Sequence, residues 1–140
     1  MELDTKTLRM LVRVALLTRE YAYAPYSQFH VGAALLTAKG RIYTGCNIEN
    51  AGYSATNCAE RTAFFKAVSE SEREFAAIAI AGGKKDEPAD YTPPCGICRQ
   101  VMAEFCGPEF PVILVRSEEE YQIYTLAELY PMGFSPKNLE

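Results

Sequence analysis

Apolar residues fall at Leu8, Leu11, Val12, Ala15 and Leu16, the three- and four-residue spacing of a helix with one buried face. Asp4 stands where an N-cap belongs and Leu3 is placed to staple onto Leu8, so the first predicted element is an amphipathic helix. Past the break at Pro25 the pattern changes, and Phe29 to Leu36 and Arg41 to Cys46 read as two strands. Thr37-Ala38-Lys39-Gly40 between them is polar and ends in a glycine able to take positive φ, which predicts a hairpin. Asn47 to Ser54 reads as a loop, and Ala55 to about Ser69 has the Ala, Phe and Lys content of a helix. Phe75 to Ala81 is a short apolar strand, Gly82 to Pro94 a polar loop, Gly96 to Phe105 a helix and Val112 to Arg116 another strand. Strand, helix, strand in succession implies a parallel pair. The expected fold is therefore α/β, a mixed sheet of roughly five strands between helical layers.

Composition narrows the function. A chain of 140 residues with 49% hydrophobic content is expected to form one domain, residues 1–140, with a core of its own. The first ten residues carry Glu2 and Asp4 and lack the apolar stretch of a signal peptide, and no later apolar run approaches the ~18 residues of a membrane span. A cytoplasmic protein without a membrane partner is expected. A net charge of −4 offers no electrostatic footprint for a polyanion, so nucleic acid is disfavoured as a partner. Five cysteines, Cys46, Cys58, Cys95, Cys98 and Cys106, are an odd number in such a chain and point to metal binding or burial rather than to disulfides.

Three of these cysteines carry the chemistry. Cys58-Ala59-Glu60 and the distant Pro94-Cys95-Gly96-Ile97-Cys98 supply three thiolates and one carboxylate. Structural zinc sites close four positions with protein ligands, whereas catalytic sites use three and leave the fourth to water, whose pKa falls to ~7. Cys95 and Cys98, three apart, share a helix face, while Cys58 and Glu60, two apart, reach one ion only near a helix end. One Zn2+ is therefore expected ahead of two helix N-termini, where free N–H groups and positive dipole ends stabilise thiolates. Three thiolates leave the ion with a net −1, so Arg61 and Arg99, which directly follow the motif residues, are candidates for charge compensation. Cys46, Cys106 or His30 remain candidates for a fourth ligand, which would make the site structural.

Cys58-Ala59-Glu60 with Pro94-Cys95-Gly96-Ile97-Cys98-Arg99-Gln100 matches the zinc deaminase signature in its three-cysteine form. Tyr26-Ser27-Gln28-Phe29, Val31-Gly32-Ala33-Ala34-Leu35, Asn47-Ile48-Glu49-Asn50 and Leu129-Tyr130-Pro131-Met132-Gly133-Phe134 extend the likeness. Over nearly its whole length the chain resembles the small homotetrameric cytidine deaminases. The resemblance implies a three-layer α/β/α sandwich and the hydrolysis of cytidine and 2'-deoxycytidine to uridine and 2'-deoxyuridine with release of ammonia, in pyrimidine salvage. It implies zinc on Cys58, Cys95 and Cys98, hydroxide attack at C4, and Glu60 as the proton shuttle to N3 and the leaving amine.

The same resemblance assigns Asn47 and Glu49 to the ribose, chiefly its 3'-hydroxyl, Phe29 to the pyrimidine face and Ala59 to the substrate side of the catalytic helix. Ala51, Tyr53 and Phe134 resemble residues that neighbouring subunits contribute, which would make the site shared within a homotetramer. A carboxylate at the 3'-hydroxyl accepts a hydrogen bond from a free nucleoside but repels the phosphate of a polynucleotide. Two other readings stay open at this level: a deaminase of another aminopyrimidine nucleoside such as blasticidin S, and a non-catalytic module with structural zinc.

Overall fold

The structure, a computed structural model, describes residues 3–140. Five strands, β1 (Phe29–Thr37), β2 (Ile42–Cys46), β3 (Phe75–Lys84), β4 (Pro111–Val115) and β5 (Tyr121–Thr125), form one sheet in the order β2-β1-β3-β4-β5. Only the β3–β4 pair is parallel, so the sheet is mixed. Four helices cover it: α1 (Thr5–Thr18), α2 (Ala59–Ser69), α3 (Gly96–Phe105) and the single turn α4 (Leu126–Leu129).

Strand parity sorts the side chains into two cores. Ala34 and Leu36 of β1, Ala77, Ala79 and Ala81 of β3, and Ile113 and Val115 of β4 meet Leu11, Val12 and Ala15 of α1. The alternate residues, Val31, Ala33, Leu35, Ile78, Ile80, Val112 and Leu114, meet Ala59, Ala63, Phe64 and Ala67 of α2, Met102 of α3 and Leu126 of α4. This is the expected three-layer α/β/α sandwich. Asp4 caps α1 through a 2.7 Å bond from the Thr7 N–H, and Gly40 closes the β1–β2 hairpin at φ 94°.

Two boundaries shift by two residues or more, and one strand takes a place the sequence pattern leaves open. Helix α2 begins at Ala59 rather than Ala55, because reciprocal 2.9 Å backbone bonds between Ile48 and Asn57 keep the chain extended up to Cys58. Strand β3 runs on through Gly82 and Gly83, which read as loop residues, because they pair with Val31 and His30 of β1. The fifth strand, expected but not located, is Tyr121–Thr125, and Thr125 at its end caps α4 with Glu128 in a capping box. Among the described residues no helix is long and apolar enough to cross a membrane.

Candidate active site

Helix α2 follows β2, and α3 follows β3. Because β1 runs antiparallel to both, the start of β1 lies at the same end of the sheet as their C-termini. That end collects Phe29, Asn47 and the N-termini of α2 and α3. The carboxyl ends of strands in open α/β sheets are where ligands are commonly held. One aromatic contact joins the two helices, Phe64 of α2 against Phe105 of α3 at 6.2 Å between centroids, and Phe64 also meets Phe75 of β3 edge-on at 5.0 Å.

Cys58 is the N-cap of α2 and Cys95 the N-cap of α3; the Cys95 sulfur accepts from the Cys98 N–H at 3.4 Å. Cys58 Sγ lies 3.6 Å from Cys95 Sγ, which lies 3.3 Å from Cys98 Sγ. Zinc–thiolate bonds of about 2.3 Å in tetrahedral geometry separate neighbouring sulfurs by about 3.8 Å. The three sulfurs thus form a triangle close to one face of a zinc tetrahedron, at separations well beyond a disulfide's. No other His, Cys, Asp or Glu joins this cluster among the described residues. Cys46 instead lies 3.4 Å from the Tyr21 carbonyl, and burial pushes the Cys106 thiol up to about 12, the state of an inert buried thiol.

The electrostatics fit a cation. A bond from the Cys98 thiol, outweighing the cost of burial and aided by Arg61, draws the Cys58 thiol down to about 5. Cys98 is held above its ordinary value by that same bond and by burial. Arg61 Nη2 donates to Cys58 Sγ at 3.3 Å, and although burial opposes its charge, its bonds to the sulfurs keep it firmly protonated. Arg99 is spent elsewhere: its Nε donates to the Pro94 carbonyl at 2.7 Å and its Nη1 to the Leu129 carbonyl. It ties the start of α3 to the C-terminal segment. Neighbouring Gln100 does likewise, accepting from Tyr130 Oη at 2.6 Å and donating to the Phe134 carbonyl at 2.8 Å.

Glu60, the second residue of α2, is 4% exposed. Burial, with the charge of Cys58 behind it, pushes its carboxyl up to about 7 against the opposing bonds of its own N–H and Cys98. Such a group changes protonation state readily near neutral pH. Ala59 before it is fully buried, and its N–H is among the unpaired donors of the first turn.

Phe29 packs against the core under α2 and α3. Asn47 is fixed by β1: its Oδ1 accepts from the Val31 N–H and its Nδ2 donates to the Phe29 carbonyl, both at 2.8 Å. Glu49 accepts from the Tyr26 N–H at 2.9 Å and the Ser27 N–H at 3.1 Å with Oε1, and from the Ser27 hydroxyl with Oε2. Burial would raise its carboxyl, but these bonds outweigh it and hold the group below the usual range. Ala51 is exposed, Tyr53 is 77% exposed with its ring 6.1 Å edge-on to Tyr26, and Phe134 is 54% exposed.

Sequence reasoning gave no role to Ser27, nor to Asn57 and Thr62. Asn57 Nδ2 donates to Thr62 Oγ1, which donates to the Cys58 carbonyl, both at 3.1 Å, steadying the turn that presents Cys58. These contacts have a weak local signal: Asn and Thr are common near a helix start.

A triangle of thiolates at two helix N-termini with one buried carboxylate beside it, on a three-layer α/β/α sandwich, defines a zinc-dependent deaminase. Residues 5–114 match the family described as the cytidine and deoxycytidylate deaminase zinc-binding region. The chain is 53% identical over 121 residues to a cytidine deaminase of Sporosarcina psychrophila, covering 86% of each chain. It is 48% identical over 131 residues to one of Halalkalibacterium halodurans, covering 94% of this chain and 96% of that one. A crystal structure of cytidine deaminase from Burkholderia pseudomallei, 43% identical, superposes with a TM-score of 0.81 over 94% of this chain and all of that one. The chain belongs to the cytidine and deoxycytidylate deaminase family.

Proposed function

We propose that the protein hydrolyses cytidine and 2'-deoxycytidine to uridine and 2'-deoxyuridine with release of ammonia. The observation that carries this reading is the buried carboxyl of Glu60 beside three sulfurs arranged as one face of a tetrahedron. When bound by Cys58, Cys95 and Cys98, a zinc ion supplies the Lewis acidity that lets water act as a nucleophile at neutral pH. Glu60 accepts the proton of the attacking water and delivers it to N3 of the cytosine, making C4 electrophilic. It then takes the remaining proton from the hydroxyl added at C4 and hands it to the 4-amino group, which leaves as ammonia while the C4 carbonyl forms, and its raised pKa keeps both protonation states within reach near pH 7.

Phe29 offers the pyrimidine an apolar face, and Asn47 and Glu49 hold the ribose through its 3'-hydroxyl. Because none of these contacts requires a 2'-hydroxyl, both sugars serve. A 3'-phosphate would meet the Glu49 carboxylate, which disfavours DNA or RNA as substrate. Arg61 offsets the net charge of the thiolate site, and Arg99 acts indirectly by anchoring α3. The exposed Ala51, Tyr53 and Phe134 serve neighbouring active sites of a homotetramer. The setting is nucleoside salvage in the cytoplasm.

The test is the initial rate of cytidine loss, followed by ultraviolet absorbance with zinc-loaded protein. Conversion to uridine is the expected result. No conversion of either cytidine or 2'-deoxycytidine would overturn the reading in favour of another aminopyrimidine or a structural metal. A second expected result concerns Arg61: Arg61→Ala should lose roughly 10-fold or more in zinc affinity or rate, the usual cost of removing an outer partner of a metal ligand. Unchanged zinc content and rate would exclude Arg61 from charge compensation.

A further inference from the structure

The Ser27 hydroxyl lies between the two walls assigned to the nucleoside. It donates to Glu49 Oε2, and its oxygen accepts the Phe29 N–H at 3.0 Å. The backbone that carries it is held in place: Gln28 sits at φ 60°, a conformation uncommon outside glycine, and is fixed by a 3.0 Å bond from its N–H to the Ala24 carbonyl. The Gln28 carbonyl in turn accepts the Lys85 N–H at 2.8 Å. A backbone strained at one residue and bonded on both sides is over-determined, as at many functional sites.

An ionised carboxylate has about four acceptor positions. Three of those of Glu49 are filled from within the chain, two on Oε1 by the Tyr26 and Ser27 N–H groups and one on Oε2 by the Ser27 hydroxyl. One acceptor position remains, on Oε2, and its direction is set by where the Ser27 hydroxyl sits. We propose that Ser27 is a positioning residue that turns Glu49 so that its single open lone pair receives the 3'-hydroxyl of the nucleoside. The inference rests on the ribose role given to Glu49 above. It makes the site selective for a sugar that donates one hydrogen bond at this point, and it links the sugar contact to the aromatic wall through the Phe29 N–H. The depressed carboxyl of Glu49 agrees, since a firmly ionised acceptor is what a hydroxyl donor meets most strongly.

The experiment compares cytidine with 3'-deoxycytidine on wild type, Ser27→Ala and Ser27→Thr, at matched zinc content and with thermal melts in parallel. Ser27 is exposed in the single chain, so its alanine variant should melt as the wild type does. On cytidine, Ser27→Ala should lose ~10-fold or more in kcat/KM, carried by KM, as expected when a contact common to ground and transition states weakens. On 3'-deoxycytidine the same change should cost at most ~3-fold, because the group that Glu49 was aimed at is missing. Ser27→Thr, which keeps a hydroxyl, should stay within ~3-fold of wild type on both substrates. Equal losses on the two substrates, from a wild type that favours cytidine, would overturn the proposal while leaving the ribose role of Glu49 standing. A wild type that turns over both substrates equally well would remove that role, and the proposal with it.

Discussion

A Glu60→Gln enzyme carrying as much zinc as the wild type should lose ~10³-fold or more in kcat and bind cytidine nearly as well. The amide keeps the size of the side chain and its capacity for hydrogen bonds, but it cannot take a proton from water and return it to the base. Positioned acid–base groups contribute ~10²- to 10⁴-fold, and here one group would handle the nucleophile, N3 and the leaving amine in turn. The environment agrees: a carboxyl 4% exposed and pushed up to about 7 is poised to change state, where an exposed one would stay ionised. The competing account is a helix N-terminal carboxylate that only complements the dipole, a contribution of ~1 kcal/mol or less. Retention of more than about a tenth of the wild-type kcat at equal zinc content would favour that account, since a tenfold change corresponds to only ~1.4 kcal/mol.

The part of this site that sequence makes legible is the part encoded by short spacing. Cys95 and Cys98 sit three apart and Cys58 and Glu60 two apart, and those intervals already require helix ends, which is where the structure has them. Strand parity is equally readable, because β1, β3 and β4 are buried on both faces and stand as apolar runs. Contacts between distant segments leave no such trace. Glu49 and Ser27 are 22 residues apart, and nothing local says that a loop carboxylate folds back onto the Tyr26-Ser27 turn. Arg61 and Arg99 look alike in sequence, each just after a motif residue. Yet Arg61 turns to Cys58 Sγ and Arg99 to two carbonyls, because α3 has the C-terminal segment beside it to hold. Glycine misleads in its own way. Gly82 and Gly83 suggest a turn, but a side chain on Gly82 would collide with Thr92 and one on Gly83 with Arg19 and the Pro88 carbonyl, so they are strand residues chosen for close approach.

The same close approach at Gly45 yields a large expected effect on both stability and metal binding. Gly45 lies on β2 directly beneath α2, and a Cβ built on it would stand 2.3 Å from the Ala59 carbonyl oxygen and 2.5 Å from the Ala63 nitrogen. Both are backbone atoms, so no rotamer change relieves the clash and the helix itself must move. Gly45→Val should therefore destabilise by about 3 kcal/mol or more and lower Tm by roughly 10 °C. It should also empty the metal site, because α2 carries Cys58 while Cys95 and Cys98 sit on α3, and lifting one helix opens the sulfur triangle. Gly32 separates these two consequences. It lies on β1 against α1, where a Cβ would stand 2.3 Å from the Ala15 carbonyl oxygen and 2.4 Å from the Arg19 nitrogen. Gly32→Val should cost a similar amount of stability, yet α1 carries no sulfur of the triangle, so at temperatures where the chain stays folded its zinc should remain. Gly107→Ala, at a position with open space around it, should leave both Tm and zinc unchanged. The measurement is a thermal melt with zinc counted per chain. Equal zinc loss in the Gly32 and Gly45 variants would mean that the metal site responds to stability as a whole rather than to the seat of α2 on the sheet.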